Sequence, residues 1–267
     1  MFELFRKFFR PNSGVPAAHL PAGQRAYVIG DIHGQLDLFE ELILAVERDD
    51  LEAGPAETTI ILLGDLVDRG PDSAGVVDRA RRWQAERPVR ILAGNHEEMF
   101  LKSFSDVNML RHFLKHGGRE TVLSYGVNQK RYNEASLEDL QNIMRAYVPV
   151  ADQIFMRTFE EYFTLGDYAF VHAGISPEVP LEDQTRQDLL WIRDPFLSYL
   201  GQHSHLIVHG HTIVEDVVER PNRIGIDTGA YRFGRLTALV LEGGERRYIQ
   251  AVQIDDGIEI EHREAAL

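Results

Sequence analysis

Residues 58–70 read TTIILLGDLVDRG, an apolar run that stops at a glycine and gives way to two acids and an arginine. Thr58–Leu63 is short, β-branched and bounded by a turn former, so it reads as a buried strand. The residues after it are turn formers and ionisable groups, as expected where a strand delivers a functional loop. The same pattern stands on both sides. Upstream, Ala26–Ile29 (AYVI) runs into Gly30-Asp31-Ile32-His33-Gly34; downstream, Val89–Leu92 runs into Gly94-Asn95-His96-Glu97. Between these strands the spacing becomes helical. Leu36, Phe39, Ile43 and Val46 share one face, and Ser73 to Glu86 places Val76, Ala80 and Trp83 together before Pro88 ends the helix. A β-α-β-α-β opening predicts parallel strands joined by right-handed crossovers.

From His96 to Thr164 the pattern is mostly helical and polar, without strong strands, and residues 97–164 read as a helical insertion beside the site. Strands resume at Tyr168–Val171, which leads into His172-Ala173-Gly174, and at Leu206–Val208, followed by His209-Gly210-His211-Thr212. Pro221-Asn222, Gly243-Gly244 and Asp256-Gly257 are turn signals in a hairpin-rich end. A parallel beginning and an antiparallel end predict an α/β fold, with two mixed sheets facing each other and helices outside. Residues 24–267 read as one domain, preceded by an arm and a Pro- and Ala-containing linker over 1–23. The apolar and basic start, Met1 to Arg10, reads as a loosely docked tail, with a membrane surface or a partner as the alternative.

The chain has no cysteine, which excludes disulfides, thiolate metal sites and any route through a phosphocysteine. With no transmembrane run and no signal peptide, cytoplasmic residence is the simplest expectation. A formal charge of −14 repels nucleic acid, so an anionic substrate has to be gathered by a local field of cations and arginines. The oligomeric state is left open.

Five apolar runs end in an Asp, His or Asn beside a small residue, at the strand ends where open sheets form their sites. Asp31, His33, Asp65, Asn95, His172 and His211 make the candidate set. Ordinary turn chemistry accounts for one such residue, but poorly for several recurring in order. Carboxylates, imidazoles and an amide oxygen without thiolate suit Mn²⁺, Fe or Zn²⁺. Six groups exceed one tetrahedral ion and suit two ions sharing a bridge. Asp65 is the natural bridge, because a carboxylate has two oxygens to offer. His209 points to the opposite face if its strand persists. Asp227, in Ile226-Asp227-Thr228-Gly229, reads as a supporting or turn residue, Gly117-Gly118 as a helix break, and His112 and His116 as surface residues.

Taken together, GDIHG, GDLVDRG, GNHE, HAG and GHT resemble the PPP-family serine/threonine phosphatases of bacterial and phage type, within the calcineurin-like metallophosphoesterases. The resemblance covers residues 26–253 and implies the metallophosphoesterase sandwich, two facing mixed sheets in an α-β-β-α arrangement. It implies two divalent ions per chain, Mn²⁺ by preference with Fe or Zn²⁺ admitted. Asp31 and His33 would hold the first ion, Asp65 would bridge, and Asn95, His172 and His211 would hold the second. Arg69 would grip phosphate oxygens, with Asn95 and His96 also facing the substrate. His96 would protonate the leaving oxygen while Asp68 orients it. Arg193 matches a second phosphate arginine loosely. Two such ions about 3.5–4 Å apart bring a water towards a pKa of roughly 7, so hydroxide attacks without a covalent phosphoenzyme.

Phosphoserine and phosphothreonine in a protein or peptide are the first substrate expectation. A symmetrical dinucleoside tetraphosphate hydrolase and a polyphosphatase are the rivals within this fold, and a degenerate binding module is a remote one. The tetraphosphate-cleaving relatives usually lack an acid at the position of Asp68 and carry GNHD; this chain keeps Asp68 and has GNHE, which favours the phosphatase.

Overall fold

The computed structural model describes residues 18–265. Three parallel strands seed the first sheet: β1 (Gln24–Ile29), β2 (Glu57–Leu62) and β3 (Val89–Ile91), with Val28 opposite Ile61 and Leu62 opposite Ile91. Helices α1 (Leu36–Ala53) and α2 (Ser73–Glu86) make the crossovers, and Asp72 caps α2 by accepting from the Gly75 N–H. Alternation in β1 shows why the run is apolar throughout. Tyr27 and Ile29 pack under the helices with Phe39, Leu42 and Val46, while Ala26 and Val28 turn into a second cluster with Ile61, Phe170, Val208 and Ile224. A strand buried on both faces has no polar side to show.

The segment after β3 is helical as expected: α3 (Asn95–Ser103), α4 (Val107–Phe113), a π-helical turn at Leu114–Gly118, α5 (Arg119–Ser124), α6 (Gln129–Glu134), α7 (Leu137–Tyr147) and α8 (Val150–Arg157). One strand escaped the sequence pattern. β4 (Tyr162–Leu165) lies at a sheet edge and is only half-buried, so it needs no continuous apolar run. It pairs with β5 (Tyr168–Val171), and the second sheet runs β4-β5-β6-β8-β7, with β6 (Leu206–His209), β7 (Val218–Arg220) and β8 (Arg223–Gly225). Helix α9 (Arg186–Trp191) lies in the β5–β6 connection.

The C-terminal hairpins extend the first sheet and leave the facing one to β4–β8. After the short α10 (Ala230–Phe233), β9 (Arg235–Glu242) pairs antiparallel with β1, and β10 (Glu245–Ile254) and β11 (Gly257–Glu264) follow outward. Leu239 and Leu241 of β9 complete the cluster between the sheets. The expected arm lies outside the described residues up to 17. Of the linker, Leu20 is buried and its N–H donates to the Gly243 carbonyl at 2.9 Å. Among the described residues no helix is long and apolar enough to cross a membrane.

The carboxyl ends of β1, β2, β3, β5, β6 and β8 each deliver a polar residue, and these residues meet at one rim of the sandwich.

Candidate active site

Six non-glycine residues among those described have positive φ, and five of them are His33, Asp65, Asp68, Arg69 and His211, all predicted site residues. Such backbone costs about 1–3 kcal/mol per residue and persists only where surrounding bonds hold it. At Asp65 the holding is done by Glu97. Its buried carboxylate accepts from the N–H groups of Asp65 (2.9 Å), Leu66 (2.8 Å), Val67 (3.3 Å) and Gly94 (2.9 Å). Burial and the charge of Asp65 push Glu97 up to about 7. No role was assigned to Glu97 from sequence, although an acid three residues after a glycine before a helix is half of a capping box. Gly94 is required for contact: a Cβ there would meet Asp65 Oδ1 and the Asp65 backbone nitrogen.

Asp65 stands between two clusters, His33–Asp65–His96 and Asp65–His172–His211. Its Oδ2 lies 3.5 Å from His33 Nε2 and its Oδ1 lies 3.4 Å from His172 Nε2, so the two oxygens face different imidazoles. Burial disfavours its charge, but His172, His96 and His33 together hold the carboxyl below the usual range. The Nδ1–H of His33 donates to the Val67 carbonyl and that of His172 to the Leu63 carbonyl, both at 2.8 Å. Carbonyls only accept, so each neutral ring presents the lone pair of Nε2 to the centre. Asn95 Oδ1 sits 3.0 Å from His172 Nε2 and 2.8 Å from His211 Nδ1.

Asp31 lies outside both clusters and accepts from the His211 N–H with both oxygens, at 3.1 and 3.0 Å. Burial, then Asp227 and Asp65, raise its carboxyl well above the usual range. Asp227 does make the expected turn bond, through Oδ1 to the Gly229 N–H at 3.1 Å. Its Oδ2, like Nε2 of His211, is buried without a partner, and burial together with Asp65 pushes it up to about 7. Converging acceptors, buried like charges and orphaned ligand atoms are what divalent cations satisfy, so the donor set fits them. The sequence reading of Asp227 as a supporting or turn residue covers the Gly229 bond but not the unpartnered Oδ2, which faces no donor among the described residues.

A layer of donors overlies the carboxylates. Asp68 Oδ2 accepts from His96 Nδ1 at 2.6 Å, and Thr121 donates to Asp68 Oδ1 at 2.6 Å. Burial works against charge on His96, but Asp65 and Asp68 outweigh it and raise its pKa. Arg69 donates to Nε2 of both His33 and His96 at 2.9 Å. Its guanidinium also lies over the Tyr231 ring, 4.6 Å from the centroid. Tyr231 and Thr121 come from distant elements, and no local signal marks either one.

Gly117 explains what the double glycine does. Its carbonyl accepts from the Arg69 N–H at 3.0 Å, its φ is +105°, and a Cβ there would meet Arg69 Cγ at 2.6 Å. Gly117→Ala is therefore expected to destabilise the fold by about 1–3 kcal/mol. It should appear as a lower urea midpoint at constant m-value, with turnover falling because Arg69 is displaced.

The remaining candidates sit outside this centre. Arg193 is exposed, and its Nη1 donates to Thr212 Oγ1 at 3.4 Å, beside His211. His209 packs edge-on against Phe196, 5.1 Å between centroids, away from the carboxylates. His112 is exposed and His116 half-buried, with their rings 4.2 Å apart.

The geometry has counterparts. An asymmetrical bis(5'-nucleosyl)-tetraphosphatase PrpE of Oceanobacillus iheyensis is 26% identical over 231 residues, spanning 79% of this chain and 86% of that protein. The PrpE of Anoxybacillus flavithermus is 28% identical over 239 residues, spanning 79% and 88%. Among solved structures, a candidate diadenosine tetraphosphatase superposes with a TM-score of 0.62 at 21% identity, over 87% of this chain and 98% of that one. A protein-tyrosine phosphatase of a Shewanella species gives 0.52 at 19%, over 94% and 83%. These two are likenesses of fold. Residues 24–238 match the family described as calcineurin-like phosphoesterase, whose members use divalent metals. The chain belongs to the calcineurin-like phosphoesterases and is a metal-dependent phosphoesterase.

Proposed function

We propose that this chain hydrolyses dinucleoside tetraphosphates and cuts them asymmetrically. The observation that carries the reading is the double cluster about Asp65, with Arg69 above it and Arg193 at the rim. That centre suits phosphoryl transfer in general, and the PrpE relatives supply the substrate class. This reverses the order in which the intact Asp68 and GNHE ranked the substrates. The resemblance to protein phosphatases is thereby kept at the level of the superfamily.

Asp31, His33, Asp65, Asn95, His172 and His211 would hold two divalent cations, with Asp227 adding carboxylate charge beside them. Bound there, the cations would place positive charge on phosphoryl oxygens and lower the pKa of the attacking water. Arg69, whose two Nη groups donate to His33 and His96, would turn from those rings to grip equatorial oxygens bidentately. His96, held by Asp68 at Nδ1, would deliver a proton from Nε2 to the leaving oxygen once Arg69, which donates to that nitrogen here, turns to the phosphoryl oxygens.

A second reading, a phosphoprotein phosphatase, is favoured by the His96–Asp68 pair itself. An alkoxide leaving group is strongly basic and needs a proton, whereas a departing nucleotide phosphate has a pKa near 6 and needs it less. The test is a panel of diadenosine tetraphosphate, phosphoserine and phosphothreonine peptides and polyphosphate, on metal-reconstituted protein. The proposal expects the dinucleotide to have the highest kcat/KM and to yield AMP with ATP. A phosphopeptide preferred by tenfold or more would replace it with the second reading, and two ADP products would remove the asymmetry.

A further inference from the structure

One aromatic side chain near the centre is left unused by this chemistry. Trp191 ends α9 and is half-buried; its Nε1–H donates to Glu98 Oε2 at 3.0 Å. Glu98 lies two residues beyond His96 on α3, so the indole is indexed to the helix that opens with Asn95 and His96. The His112 ring, 6.4 Å away and tilted by 42°, stands beside it. Trp191 also lines a cleft of about 390 Å³ with Arg193, Ser176, Gln187, Asp188 and Asp194. Arg193 spans from this cleft to Thr212, next to His211.

The geometry points to this cleft as a nucleoside subsite, with the base stacked on Trp191 and the attached phosphate passing Arg193 towards the centre. The inference rests on the dinucleotide reading. Its volume lies in the range of small-ligand sites, and an indole pinned by Glu98 stacks without first being ordered. Charge separates the occupants. Asp188 and Asp194 repel a phosphate chain laid through the cleft, but they accept hydrogen bonds from ribose hydroxyls and tolerate a neutral base. Lone cationic rims steer phosphate without choosing what is attached to it; an aromatic face beside the cation adds that choice.

Trp191 can report on itself. The other tryptophan, Trp83, is 1% exposed in the core and gives a constant background. Metal-reconstituted full-length protein titrated with AMP should show saturable quenching of indole fluorescence, and ribose 5-phosphate should not. Trp191→Ala should lower the ratio of kcat/KM for diadenosine tetraphosphate over p-nitrophenyl phosphate by about tenfold, the scale of losing one stacked base. Trp191→Phe should keep most of that ratio. Equal losses on both substrates, no change in the ratio, or equal quenching by ribose 5-phosphate would overturn the subsite. If the wild type preferred phosphopeptides yet was quenched selectively by AMP, the substrate reading would fall and the subsite would stand.

Discussion

His96→Asn is expected to lower kcat by about 10²–10⁴-fold on phosphoserine peptides and markedly less on diadenosine tetraphosphate and p-nitrophenyl phosphate. The size follows from general acid catalysis and the ordering from leaving-group basicity. His96 is buried, and its Nδ1 is committed to Asp68 at 2.6 Å, which fixes the ring and leaves Nε2, where Arg69 donates, as the nitrogen to face the leaving group. Asparagine fills much of the same space but carries no titrating proton. Asp68→Asn should give a smaller loss in the same order, since the ring keeps a partner and the charge of Asp65 but loses one of the two charges that raise its pKa. Equal losses on all three substrates would show that His96 supports the metal centre, which its membership of the His33–Asp65–His96 cluster makes a real alternative.

Asp65→Asn is expected to reduce kcat/KM by at least about 10³-fold, beyond the 10–100-fold typical of losing an outer partner of a metal ligand. The substitution keeps volume and an oxygen for the His96 N–H, which Asp65 Oδ1 accepts at 3.0 Å, so the fold should survive. It replaces one carboxylate oxygen with an NH₂ that cannot ligate, and it removes the charge that faces four imidazoles. Manganese content by elemental analysis should fall below that of the wild type, in step with activity. Unchanged content with lost activity would assign Asp65 to chemistry and remove it as the bridge.

Most of the centre was legible because each part is short and contiguous. A strand that ends in an Asp, Asn or His beside a small residue carries its signal within seven or eight residues, and β1, β2, β3, β5 and β6 all do so. The structure brings Asp31, His33, Asp65, Asn95, His172 and His211 to one rim. What escaped was whatever depends on distant pairing. Thr121 holds Asp68, and Gly117 holds Arg69, across a helical insertion whose fold no local pattern predicts. Tyr231 meets Arg69 only because β9 returns beside β1 and brings α10 with it. The C-terminal meander was legible as hairpins, but its sheet was not, since antiparallel alternation is the same whichever edge it joins. Substrate choice was the least legible, because ester and anhydride hydrolysis ask the same clamp of Asp65 and Arg69.

The central claim is that this centre, loaded with metal, cuts a dinucleotide anhydride. The direct measurement strips the protein of metal, restores Mn²⁺, Fe²⁺ or Zn²⁺ in turn, and separates the products of diadenosine tetraphosphate by chromatography. Turnover that depends on added metal, giving AMP and ATP in equal amounts, is the predicted result. No hydrolysis with any of the three ions, while phosphopeptides are cleaved readily, would contradict it.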